Sequence, residues 1–158
     1  MDCHPMKIFD HLHEHSVSFV IIGGHAVNFH GYIRATEDAD IIIEKTPENE
    51  ENLLRALTEI HAHWITDTID KKTGIEKTAA VTASYIQANH LMMLTTDIGY
   101  LDIFDYIPGF PQTPVRDVFN DCEHYNQLKI ISLKWLRKIK EVSARPRDMD
   151  DLDNLDNL

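Results

Sequence analysis

Two aspartates separated by a single residue are the feature of this sequence with the clearest chemical meaning. Asp38 and Asp40 flank Ala39 and are followed by the apolar run at residues 41–43. If this run belongs to a β-strand, side chains two positions apart point to the same face of the sheet, so the two carboxylates lie side by side. Such a pair repels unless it shares a proton or a cation, and Mg²⁺ prefers oxygen ligands. The spacing predicts a catalytic metal site, with a solvated edge strand as the alternative.

A third carboxylate lies in a later apolar segment. Asp102 alternates with Leu101 and Ile103, so on a strand it can project from the same sheet towards the first pair. Asp105 is a rival, but its odd spacing from Asp102 places it on the opposite strand face, where it faces solvent or caps a turn. We therefore favour Asp102 as the third metal ligand.

A glycine pair precedes these aspartates along the chain. Gly23 and Gly24 end a β-branched run and open a short helical pattern. Because glycine has no side chain, phosphate oxygens can approach the backbone there and meet unpaired N–H groups. The pair predicts a phosphate-binding turn, and a tight turn without a ligand is the alternative.

Hydrophobic patterning supplies the elements that must position these groups. Strands are predicted at residues 17–22, 39–44, 91–95 and 100–107, with an edge strand at 128–131. Helices are predicted at residues 5–15, 25–30, 47–60 and 133–145, followed by a last short helix capped by Asp148. Residues 64–66 fit a strand, and residues 75–88 fit helix, strand or loop equally well. We expect an α/β (α+β) fold, a mixed β-sheet flanked by helices, in one domain over residues 1–158.

Composition limits the classes of ligand. The 158 residues include 15 Lys plus Arg against 26 Asp plus Glu, a net charge of -11. This acidic balance excludes broad coating of nucleic acid or of an anionic membrane. The charge is uneven, however, because residues 129–147 hold seven basic residues and a single acid. One phosphate-bearing ligand can therefore be held locally.

No segment resembles a membrane span, because the longest apolar runs are only a few residues long. The N-terminus also lacks the apolar core of a secretory signal, so we expect a cytoplasmic protein. Cys3 and Cys122 have no partner at metal-ligand spacing, and two reduced thiols are expected.

Three histidines near the N-terminus invite a second metal hypothesis. His11 and His15 are four residues apart on a predicted helix, and His13 lies between them. No third ligand is fixed by the sequence, so an exposed helix face explains them better than zinc.

The order of these motifs resembles the nucleotidyltransferase superfamily, which includes DNA polymerase beta and small antibiotic-modifying enzymes. The superfamily signature is an apolar residue, Gly-Gly or Gly-Ser, a short gap, and Asp-x-Asp or Asp-x-Glu on a strand. Here Ile22 precedes the two glycines, and thirteen residues separate Gly24 from Asp38. Gly24 stands where many members have serine, so a hydroxyl contact to phosphate would be absent.

A narrower resemblance is to the AbiEii-type branch of that superfamily. It is carried by residues 23–27, Gly31, residues 34–36 and the two aspartates, and by the late segment at residues 140–152. The likeness touches residues 17–44, 99–109 and 132–155.

The resemblance implies transfer of a nucleoside monophosphate from an NTP to a hydroxyl group, with release of pyrophosphate. It implies Mg²⁺, or Mn²⁺ in its place, held by the three aspartates, with Asp102 helping to deprotonate the acceptor. The acceptor is RNA, a protein or a small molecule, and a partner protein such as a toxin–antitoxin component is compatible. The nucleotide-binding residues would be Gly23, Gly24, Arg34, Thr36, Lys140 and Arg145. The alternative is a non-catalytic module that binds a nucleotide or a partner.

Overall fold

One mixed sheet of eight strands runs through the computed structural model, which describes residues 5–158. The strands are β1 (Phe19–Ile22), β2 (Ala39–Ile43), β3 (His63–Ile69), β4 (Glu76–Ala80), β5 (Leu91–Thr96), β6 (Gly99–Phe104), β7 (Cys122–Tyr125) and β8 (Leu128–Ile131). The helices are α1 (Pro5–Glu14), α2 (Gly23–Phe29), α3 (Pro47–Glu59), α4 (Ala83–Ala88), α5 (Arg116–Asn120), α6 (Leu133–Ser143) and α7 (Pro146–Asp156).

The strand order is β4-β3-β5-β6-β2-β1-β8-β7. The pairs β2–β6 and β1–β8 are parallel, and the other neighbouring pairs are antiparallel. The central strands are apolar enough to be covered by helices, and Ile41, Ile42 and Ile43 are fully buried. The predicted fold class, a mixed sheet flanked by helices, is confirmed.

Side-chain caps fix where the long helices begin. The Thr46 hydroxyl accepts a hydrogen bond from the Asn49 backbone N–H (3.1 Å), and Pro47 occupies the first helical position of α3. The Ser132 hydroxyl accepts in the same way from the Trp135 N–H (3.2 Å) at the start of α6. Both helix starts agree with the predicted ones.

Several predicted boundaries are wrong. β8 is not an edge strand, since β7, which the sequence pattern missed, covers its outer side. β6 ends at Phe104 instead of residue 107, and α5 was also not predicted. Asp148 is not the N-cap of α7: the helix begins earlier, with Arg145 as N-cap, and Asp148 lies in its first turn, where its carboxylate accepts a hydrogen bond from the Arg145 backbone N–H (3.1 Å).

Residues 75–88, for which the sequence fitted helix, strand or loop equally well, contain both β4 and α4. The strand predicted at residues 64–66 is part of the longer strand β3. Within residues 5–158, Cys122 has no disulfide partner, while Cys3 lies outside the described residues. Among the helices of the described part of the chain, none is both long and apolar enough to cross a membrane.

Candidate active site

The two central carboxylates lie on neighbouring strands in direct register. Asp40 of β2 is opposite Ile22 of β1 on one side and Asp102 of β6 on the other. Ala39, Leu101 and Ile103 point to the buried face of the sheet, as the alternation of side chains requires. Asp38 precedes β2 by one residue and is exposed. The sheet therefore brings the three predicted carboxylates to one place.

Crowding of these negative charges changes the acidity of two of them. Burial, together with the charges of Asp102 and Asp38, raises the pKa of Asp40 to about 7, and only the positive charge of Lys140 acts in the opposite direction. Burial and the charge of Asp38 also raise the pKa of Asp102. Two facing carboxylates in this position are stabilised by a shared proton or by a cation between them.

The glycine turn leaves space for these carboxylates at its first residue. Gly23 has a φ of +69°, and a Cβ atom there would overlap the carboxylate of Asp40. Both the left-handed conformation and the close approach require glycine. The second glycine is equally restricted, since a Cβ at Gly24 would lie 2.5 Å from the Thr36 hydroxyl oxygen and 3.1 Å from Arg34 Nη1. Gly23 therefore lies against the Asp40 carboxylate, and Gly24 lies against the Thr36 hydroxyl and the Arg34 guanidinium.

The predicted basic residues form an ion-pair network with two buried aspartates of α7. The Arg34 guanidinium donates two hydrogen bonds to Asp151, from Nε (2.7 Å) and Nη2 (2.9 Å). Lys140 Nζ lies 2.8 Å from Asp151 and 3.3 Å from Asp148. Arg145 Nε lies 2.8 Å from Asp148. Three positive charges thus meet two carboxylates.

The network strongly favours ionised carboxylates at its centre. Burial alone would raise the pKa of Asp148, but hydrogen bonds from Arg145 and Ser143 and the charge of Lys140 lower it far below the ordinary value. The pKa of Asp151 is also lowered, because the hydrogen bonds of Arg34 and Lys140 outweigh its burial. The sequence pattern assigned neither aspartate a role in the site. Their i, i+3 spacing on α7, after an Arg-Pro-Arg segment, was the available signal.

These groups surround one cavity of about 540 Å³. Its lining includes every residue predicted for the site: Gly23, Gly24, Arg34, Thr36, Asp38, Asp40, Asp102, Lys140 and Arg145. The pattern did not predict the apolar part of the wall, formed by Phe104, Pro108, Leu136 and Ile139, or the additional cation Arg147. The cavity combines a carboxylate cluster, a basic cluster and an apolar wall, which suits a ligand with a charged and an aromatic part.

Two other residues considered from the sequence lie outside this lining. Asp105 pairs with Lys45 (3.1 Å) and His90 (2.9 Å). His25 follows the glycine turn but packs edge-on against Phe9, with ring centroids 5.5 Å apart. Burial and the charge of Arg34 lower the pKa of His25, so a neutral imidazole is favoured.

Comparison with known proteins gives little beyond this geometry. No protein family profile matches the chain, and no curated protein matches it. Two solved structures from Helicobacter pylori match 86% of the chain: a protein proposed to be a nucleotidyltransferase (15% identity, TM-score 0.42) and JHP933 (16% identity, TM-score 0.41). The match covers 56% and 53% of those proteins, so the chain spans about half their length. Similarity of this size carries no argument about function, which must be argued from the site.

Proposed function

We propose that this protein is a nucleotidyltransferase that binds an NTP with Mg²⁺ in the carboxylate cavity and transfers the nucleoside monophosphate to a hydroxyl group. The observation that carries the proposal is the direct register of Asp40 and Asp102, with Asp38 and the glycine turn beside them. If the glycine pair formed only a tight turn without a ligand, nothing would require three mutually repelling carboxylates to line the same cavity wall.

The donor set fits Mg²⁺. All three groups are carboxylates, and Asp40 is held partly protonated near neutral pH by burial and by its neighbours. The adjacent cation, Lys140, is already paired with Asp148 and Asp151. The cluster therefore has room for a further positive charge, and Mn²⁺ can substitute because it accepts the same ligands. When bound, the metal neutralises charge on the triphosphate and acts as a Lewis acid.

The three carboxylates have different roles in this proposal. Asp38, Asp40 and Asp102 would hold the metal, and Asp102 also helps to deprotonate the acceptor: one of its carboxylate oxygens accepts the proton of the acceptor hydroxyl, as its raised pKa favours. The hydroxyl oxygen forms a bond to the α-phosphorus. The bond from that phosphorus to the bridging oxygen breaks, and pyrophosphate leaves with the electron pair.

The remaining residues bind the triphosphate. The backbone at Gly23 and Gly24 admits phosphate oxygens, and Thr36 and Arg34 lie against the second glycine. In the network around α7, Arg34, Lys140 and Arg145 outnumber the two aspartates. The network therefore has one uncompensated positive charge, which can pair with a phosphate of the ligand.

The proposal extends to the AbiEii-type branch on the motif pattern at residues 23–40 and 140–152. The acceptor belongs to one of three classes, RNA, protein or small molecule, and a partner protein of a toxin–antitoxin pair is one of the candidates. A non-catalytic nucleotide-binding module is the competing function.

The test is to incubate the protein with each α-labelled NTP, Mg²⁺ and fractionated lysate, and to follow label in RNA, protein and small molecules together with pyrophosphate release. Asp38→Asn and Asp40→Asn are expected to abolish transfer, and Asp102→Asn to reduce it at least about 100-fold. Asp67→Asn is the matched control, because Asp67 is an exposed strand aspartate outside the cavity.

Metal-dependent NTP binding without transfer to any fraction would favour the non-catalytic module. Transfer that is equal in the wild type and in Asp40→Asn would contradict the assignment of the carboxylates.

A further inference from the structure

A second cluster of metal-ligating groups lies outside the carboxylate cavity. His11 lies in the last turn of α1, His15 directly follows the last residue of that helix, and Glu59 is the last residue of α3. One ligand atom from each of the three residues lies within 4.8 Å of the other two. None of them lines the carboxylate cavity. The packing of α3 against α1 therefore brings in Glu59 as a third ligand, which the sequence alone did not identify.

Hydrogen bonds to backbone carbonyl groups orient both imidazole rings. His11 Nε2 donates to the Ala56 carbonyl oxygen (2.8 Å), so its Nδ1 carries the lone pair in the neutral ring. His15 Nδ1 donates to the His11 carbonyl oxygen (2.9 Å), which leaves Nε2 as the coordinating nitrogen. A ring that donates one nitrogen to a carbonyl and offers the other is the usual outer-shell arrangement of a metal-bound histidine.

The free nitrogen of His15 already faces an anionic oxygen. His15 Nε2 lies 2.6 Å from Glu59 Oε2. Because a lone-pair nitrogen and a carboxylate oxygen are both acceptors, this distance requires a proton or a metal ion between them. The Glu59 side chain is 65% exposed and that of His15 21% exposed, so an ion can arrive directly from solvent.

We propose that His11, His15 and Glu59 bind a transition-metal ion such as Zn²⁺, which links the ends of α1 and α3. Zn–N bonds are about 2.0–2.1 Å long, so two ligand atoms of one tetrahedral ion are about 3.3–3.4 Å apart. The three ligand atoms lie within 4.8 Å of one another, and His15 Nε2 lies 2.6 Å from Glu59 Oε2, so the side chains must adjust when the ion binds.

Two imidazoles and one carboxylate suit Zn²⁺, Ni²⁺ or Cu²⁺, whereas Mg²⁺ favours an all-oxygen set. The site therefore selects a different ion from the carboxylate cavity. Because its ligands come from two helices and leave positions open to water, the ion stabilises the packing of α1.

The test is calorimetric titration of Zn²⁺ into the full chain in excess Mg²⁺, which occupies the carboxylate cavity. Wild-type protein is expected to bind one Zn²⁺ at this site, and His15→Gln and Glu59→Gln to bind it at least about tenfold more weakly. Asp97→Asn is the control, because Asp97 and His61 form a similar exposed pair (2.5 Å) that belongs to no three-ligand group among the described residues.

A second measurement locates the ion. Cu²⁺ should broaden NMR signals of residues near the C-terminal ends of α1 and α3, and Zn²⁺ should raise the Tm of the wild type but not that of Glu59→Gln. Equal affinity in the wild type and Glu59→Gln, or broadening confined to other histidines, would overturn the three-ligand site. Glu59→Gln is decisive because its exposed side chain can change without loss of the fold.

Discussion

Asp40 and Asp102 are directly opposite each other on the parallel strands β2 and β6, and both side chains line the same cavity. Like charges opposite each other on neighbouring strands destabilise a sheet. Burial and this repulsion raise the pKa of Asp40 to about 7. When no cation is bound, the fold therefore carries an unfavourable cluster of negative charge at the centre of its sheet.

Without metal, stability should fall as the pH rises towards neutrality. The ordinary pKa of this carboxyl group is 3.8, and that of Asp40 in the fold is about 7. Between these values the native state binds a proton that the unfolded chain has released, so the free energy of unfolding decreases with pH and levels off above about pH 7. The loss is at most about 4 kcal/mol. Urea denaturation in EDTA across this range measures it.

The substitution Asp40→Asn should reduce this dependence of stability on pH, and the raised pKa of Asp102 accounts for the part that remains. An amide cannot ionise, so the variant should be more stable than the wild type at pH 8 in EDTA, by on the order of 1–3 kcal/mol. Asp148 and Asp151 do not interfere, because their lowered pKa values affect stability only in more acidic solution. Parallel slopes in the two proteins would argue against Asp40 as the titrating group.

Mg²⁺ should make the wild type more stable than Asp40→Asn, the reverse of their order in EDTA. At pH 8 the ion should raise the Tm of the wild type in a concentration-dependent way, because it binds the folded cluster and not the unfolded chain. Asp40→Asn should respond much less, while Asp67→Asn should respond as the wild type does. Thermal unfolding at several Mg²⁺ concentrations makes this comparison, and an equal Tm rise in all three proteins would place the ion elsewhere.

The sequence was sufficient to predict which carboxylates share a face, because strand alternation depends only on spacing along the chain. Their register was not predictable, since the pairing of Asp40 with Asp102 depends on strands sixty residues apart. The predicted N-cap position of Asp148 was wrong for a local reason: α7 begins at Pro146, three residues earlier than predicted, and this places Asp148 in the first turn. β7 was missed because its four residues, Cys122–Tyr125, are mostly polar and show no clear alternation.

The ion-pair network should contribute strongly to stability through Asp151. This side chain is fully buried and pairs with both Arg34 and Lys140. Asp151→Asn leaves Arg34 without its charge partner and Lys140 with only Asp148, and it should cost about 3–5 kcal/mol of unfolding free energy. Asp153→Asn, on an exposed position of the same helix, should change it by less than about 0.5 kcal/mol. A small effect at Asp151 would mean that solvent already screens these charges.

The second glycine of the turn should reject the serine found in many nucleotidyltransferases, because Thr36 occupies the space. A Cβ at Gly24 would lie 2.5 Å from Thr36 Oγ1 and 2.8 Å from Thr36 Cβ. Gly24→Ser should therefore destabilise the fold by about 1–3 kcal/mol through overpacking. Thr36→Ala removes the hydroxyl but keeps the Cβ, so Gly24→Ser should be partly rescued by Thr36→Ala and more fully by Thr36→Gly. A double-mutant cycle of unfolding free energies measures the coupling, which should exceed about 0.5 kcal/mol in favour of the double variants. Additive effects would show that a group other than Thr36, such as the Arg34 guanidinium 3.1 Å away, excludes the side chain.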